Sequence, residues 1–83
     1  MKKRLVEKSK YLEPALRIGK NGLTDGVISE IKKQLAKKKL IKIKLLKAAL
    51  EGKDKKEAAK EIAAQTGAEI INQVGFVIVL HKR

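Results

Sequence analysis

The nine residues Leu16-Arg17-Ile18-Gly19-Lys20-Asn21-Gly22-Leu23-Thr24 leave this chain few options. An apolar, strand-like piece runs into two glycines that bracket a lysine and an asparagine. A threonine suited to capping then opens a helical pattern. Strand, Gly-x-x-Gly loop and helix N-terminus follow with no spare residues. Such a loop presents backbone N–H groups beside a positive charge, the pair of features a phosphate group requires.

The remainder reads as a scaffold for that loop. Leu5, Val6, Tyr11 and Leu12 among the basic residues of 2–12 outline an irregular amphipathic helix, closed by Pro14, which keeps Glu13 extended. Ala15 to Ile18 is a short strand. After Thr24, with Asp25 in the first turn, Val27, Ile28, Ile31 and Leu35 recur at helical spacing. Gly26 costs this helix roughly 1 kcal/mol against alanine, which suggests close packing or the close approach of a ligand. Lys37-Lys38-Lys39 places cations at the helix's negative pole.

Leu40-Ile41-Lys42-Ile43-Lys44-Leu45 alternates with period two, giving a strand covered on one face and wet on the other. Gly52 and the charged run around it read as a loop. Asp54-Lys55-Lys56-Glu57 resembles a capping box. The small residues Ala58, Ala59 and Ala63 with Ile62 let the helix that follows lie close to a sheet, and Gly67 ends it. Ala68 to Val74 is a third strand, interrupted by Asn72-Gln73. Gly75 turns the chain, and Phe76 to Leu80 is a fourth strand, apolar on both faces and hence central, with Phe76 in the core. His81-Lys82-Arg83 is a charged end. The order is α-β-α-β-α-β-β: two parallel strand–helix–strand crossovers and a closing hairpin, in one mixed four-stranded sheet of an α/β protein. No linker, repeat or second domain interrupts residues 1–83.

Charge narrows the partner. Lys and Arg number 21 against 9 Asp and Glu, a net charge of +12 on 83 residues. A lysine-rich thermophile surface would carry nearly as many acids; this excess suits an anionic polymer. With no cysteine and one histidine, His81, there is no disulfide, thiolate zinc site or other metal site to expect. No cofactor or small-molecule substrate is expected, and no apolar run reaches membrane-spanning length. The N-terminus lacks a signal-peptide pattern, and the absence of cysteine fits a cytoplasmic protein.

Catalysis has nothing to rest on. Gly22 is followed by Leu23, where a Walker loop requires lysine and a hydroxyl. Glu57 and Glu61 share a helix face with Lys56 and Lys60, as on an ordinary solvated surface. Tyr11 and Phe76 are the only aromatic residues, too few for the stacking surfaces of RRM or OB domains. Contacts to phosphate and sugar remain, made by Arg17, Gly19, Lys20, Asn21 and Gly22, with Lys42 and Lys44 on the wet face of the second strand.

The ordered set of the Gly19–Gly22 loop, its capped helix, Leu40-Ile41-Lys42-Ile43-Lys44, the Thr66-Gly67-Ala68 step and the closing Val74-Gly75…Val79-Leu80 hairpin resembles the CRM domain, the YhbY-like RNA-binding family. The resemblance runs the length of the chain. It implies a two-layer α/β sandwich similar to the C-terminal domain of translation initiation factor 3, with the last strand inside the sheet. It also implies an RNA-binding loop at Gly19, Lys20, Asn21 and Gly22, and association with precursors of the large ribosomal subunit. Two other readings remain open: a DNA- or RNA-coating chromatin protein of the Alba type, and a module docking on a protein partner.

Overall fold

The structure is a computed structural model that describes residues 11–50 and 52–83. The helix expected over residues 2–12 lies largely outside them. Of its last two residues, Tyr11 is in a turn and Leu12 has no regular structure.

The described chain runs β1 (Leu16–Ile18), α1 (Asp25–Lys38), β2 (Leu40–Leu45), α2 (Lys47–Leu50), α3 (Lys55–Thr66), β3 (Ala68–Val74) and β4 (Val77–Lys82). The strands form one mixed sheet in the order β1-β2-β4-β3. β1 pairs parallel with β2, with Arg17 opposite Lys44. β4 pairs antiparallel with β2 on one side and with β3 on the other. The last strand is therefore interior, as its apolar sequence requires. β2 and β3 run the same way with β4 between them, so the second crossover skips one strand position.

The helices share one face of the sheet. Ile41, Ile43 and Leu45 alternate inward along β2 and are buried with Ile18 of β1 and Ile78 and Leu80 of β4. Ile31 and Leu35 of α1 and Ala58, Ala59 and Ile62 of α3 close over them in the same cluster. Each fully buried isoleucine or leucine contributes roughly 1.5–3 kcal/mol of transfer free energy. The small-residue stripe of α3 behaves as expected: Ala59 is fully buried, so the helix backbone approaches the core closely.

The caps follow local chemistry. Thr24 Oγ1 accepts from Val27 N at 3.2 Å and fixes the start of α1. α1 ends at Lys39, which adopts a left-handed φ of 64° and donates its N–H to Leu35 O. Gly67 ends α3 in the same way at φ 69°, without the Cβ penalty.

Five expectations are corrected. The run before Gly52 is not all loop: Lys47–Leu50 form the short helix α2, and Leu50 joins the core. Asp54 occupies the N-cap of α3, but its side chain makes no capping hydrogen bond, so the capping box does not close. Gly26 is exposed, and a Cβ there would meet only Thr24 Oγ1 at 3.8 Å, so close packing does not explain it. Asn72-Gln73 does not interrupt β3. The strand runs through a bulge at Ile71, with Ile70 opposite Leu80 and Asn72 opposite Val79. The extra residue turns Gln73 to the helix side, where Nε2 donates to Lys55 O at 3.0 Å and joins β3 to the first residue of α3. Finally, Phe76 is not core. It sits in the turn before β4 and is 38% exposed, while His81 and Lys82 belong to the strand.

Candidate nucleic-acid interface

Gly19 to Gly22 form a tight turn, closed by Gly22 N donating to Gly19 O at 2.9 Å. Gly22 has φ 66°, a conformation L side chains rarely adopt; space is not the constraint, since an added Cβ would come no closer than 3.9 Å to Ala49 O. Thr24 N donates to Gly22 O at 3.2 Å, which fixes the exit of the turn into α1. The amides of Gly22 and Thr24 are thus consumed internally. Those of Lys20, Asn21 and Leu23 enter no hydrogen bond among the described residues. The donors on offer are therefore fewer than the sequence suggests, but they are consecutive or nearly so, with the exposed Lys20 among them.

The sheet sets what surrounds this turn. β1, β2 and β3 all run toward the same end, and β4 starts there. Leu46 N donates to Ile18 O at 2.9 Å, and Leu45 N to Phe76 O at 2.7 Å. The Gly19–Gly22 turn, the Leu46–Lys47 step and the Gly75–Phe76 turn therefore emerge side by side. The Gln73–Lys55 hydrogen bond brings the start of α3 to the same end. Lys20, Lys47, Lys53 and Lys55 gather there, together with the acidic N-cap and first-turn residues Asp54 and Asp25. Lys53 forms an ion pair from Nζ to Glu61 Oε2 at 3.0 Å, and both residues line a cavity of about 180 Å³ between the turn, α2 and α3. Lys55 places Nζ 5.4 Å from the centroid of the Phe76 ring.

The remaining residues expected at the site lie on the sheet face opposite the helices. Arg17 and Lys44 are exposed register partners and hold two like charges side by side, next to the turn. Lys42 lies two residues earlier in β2, further from the turn, and is half-buried beside Val79, its partner in β4. Val79 is itself buried, so this face is less uniformly wet than the alternation of β2 implies. Arg17, Lys44 and the turn thus form one continuous cationic surface, with Lys42 at its margin. Sequence reasoning missed Lys47, Lys53, Lys55 and Leu46. The available signal was topological: parallel crossovers must deliver the carboxyl ends of β1 and β2 to one end of the sheet.

A mixed sheet with the described helices on one face, and a cationic Gly-x-x-Gly turn between its edge strand β1 and helix α1, defines a small basic α/β binding module. A family model described as the CRS1 / YhbY (CRM) domain matches residues 1–82, and the chain belongs to that family. It is similar to a Methanocaldococcus jannaschii protein named "Probable RNA-binding protein", with 43% identity over 82 residues, which are 99% of this chain and 60% of that one. A Pseudomonas aeruginosa protein of the same description is 30% identical over 82 residues, 99% of this chain and 77% of its own. The chain thus spans less than two thirds of the archaeal relative's length. In three dimensions it is similar to the solution structure of a hypothetical Staphylococcus aureus protein, described as "a putative RNA binding protein". The TM-score is 0.80 at 28% identity, over 99% of this chain and 83% of that one.

Proposed function

We propose that this chain is a single RNA-binding domain that grips the backbone of structured RNA, acting on precursors of the large ribosomal subunit in the cytoplasm. The Gly19–Gly22 turn holds a phosphate with the amides of Lys20, Asn21 and Leu23 and the ammonium of Lys20. Arg17 and Lys44, with Lys42 at the edge, engage neighbouring phosphates. The role is binding rather than catalysis. The observation that carries this reading is the set of amides in a glycine-closed turn that, with the Lys20 ammonium beside them, have no partner among the described residues; the RNA-binding names of the family relatives support it.

The test pairs two variants at one position. Asparagine and aspartate both tolerate a left-handed φ, so Gly22→Asn and Gly22→Asp present the same backbone with different charge. Hydrogen bonds to charged groups are worth roughly 1.5–3 kcal/mol, so repelling the phosphate should weaken binding to ribosomal RNA about tenfold or more in Gly22→Asp. Gly22→Asn should bind within a few fold of the parent. Equal affinities for the two variants would remove the turn from the interface. Competition by duplex DNA as effective as by structured RNA would instead favour the DNA-coating reading.

A further inference from the structure

We infer that Phe76 is a stacking platform for an unpaired nucleobase of the RNA whose backbone the Gly19–Gly22 turn holds; the inference rests on the RNA-binding reading above.

Four large apolar side chains are exposed among the described residues: Tyr11, Leu46, Val74 and Phe76. Three of them stand at the sheet end that carries the turn. Leu46 is 41% exposed, Val74 68% and Phe76 38%, and singly scattered apolar residues would not concentrate there. Leu46 adjoins the turn, because a Cβ on Gly19 would meet Leu46 Cδ1 at 3.6 Å. The Leu46–Ile18 and Leu45–Phe76 hydrogen bonds put the backbone of Phe76 two strand spacings, roughly 10 Å, from the end of β1. A nucleotide close to the held phosphate can reach it.

The surroundings select the occupant. The exposed apolar surface is small, and Lys20, Lys47 and Lys55 stand at the same sheet end, whereas a stable protein–protein interface buries about 800 Å² on each partner. A planar apolar group carrying phosphates matches both its size and its charge. The Phe76 ring already serves as a π surface, with Lys55 Nζ over it at 5.4 Å. A base stacked on the ring keeps Lys55 within reach of its own or the next phosphate. Every base has a π face, so the platform selects an unpaired nucleotide and not a sequence.

The test uses the full chain with two RNAs, a perfect duplex and the same duplex carrying a single-nucleotide bulge. The parent should prefer the bulged RNA. Phe76→Leu keeps the apolar bulk and removes the π face. Stacking is worth roughly 1–3 kcal/mol per base, so Phe76→Leu should bind the bulged RNA about 5- to 150-fold more weakly, with duplex affinity unchanged. Phe76→Trp should keep the preference. Phe76 is the chain's one phenylalanine, so its ring protons can be followed by NMR in the unaltered protein. They should move upfield with the bulged RNA and stay in place with the duplex, a readout that does not depend on any variant folding. Salt-sensitive RNA binding with unmoved ring protons, or an equal loss on both RNAs in Phe76→Leu, overturns the stacking role and leaves the backbone grip standing. No salt-sensitive binding to either RNA overturns both.

Discussion

At the scale of single residues, the chain carries two local costs with different origins. Lys39 ends α1 at φ 64°, where a non-glycine residue loses roughly 1–2 kcal/mol. It is held there by the Leu35 carbonyl and by Lys82 N donating to Lys39 O at 2.8 Å, so the strain helps tie α1 and β2 to the interior strand. Gly26 has no such compensation. It is exposed near the start of α1, and an added Cβ meets nothing closer than 3.8 Å. Gly26→Ala should therefore stabilise the protein by about 0.8–1 kcal/mol. For a chain of this size that raises Tm by about 4–8 °C, which calorimetry or a thermal melt will register. A lower Tm would mean that the glycine answers a constraint on the fold. A higher Tm with weaker RNA binding would place a ligand against the helix N-terminus.

At the scale of elements, β2 is where the expected site divides. Arg17 and Lys44 face each other across the β1–β2 ladder, exposed and beside the turn, whereas Lys42 is half-buried against Val79. If each exposed cation neutralises one phosphate, its removal should lower the log–log salt slope of RNA binding by about 0.7 on single strands and 0.9 on duplex. Arg17→Gln and Lys44→Gln should each show this drop in a salt titration, and Lys42→Gln a smaller one. Identical slopes in all three would take this sheet face out of the interface. The period-two pattern of 40–45 and the period of 27–35 made β2 and α1 legible in the sequence, because one face of each is buried. Phe76 and the bulge at Ile71 were not legible. Apolar character alone does not separate a strand's first residue from the exposed turn before it. A one-residue bulge is set by the partner strand's register, which a local pattern does not contain. Lys47, Lys53 and Lys55 escaped for a related reason: they are distant in sequence from the Gly-x-x-Gly turn and meet it only through strand order.

At the scale of the whole molecule, a charge of +12 is spread over 83 residues, and the described structure pairs little of it. One salt bridge, Lys53–Glu61, is formed among the described residues. Mutual repulsion of this kind destabilises the compact state and is screened by salt, with a Debye length of about 10 Å at 0.1 M and 3 Å at 1 M. The midpoint of urea denaturation should therefore rise between low and high sodium chloride, while RNA affinity falls over the same range. A midpoint independent of salt would mean that the cations are spaced widely enough not to interact. The interior position of β4 has another consequence, for the order in which the molecule comes into being. As the chain leaves the ribosome, β1, α1 and β2 can pair early, but β2 and β3 have no common neighbour until Val77–Lys82 has been made. Two of the sheet's three ladders wait for that one strand, and Ile78 and Leu80, fully buried at its centre, wait with it. A nascent chain stopped short of β4 would hold an unpaired edge on β2, with Ile41 and Ile43 lacking the β4 side chains they are buried with.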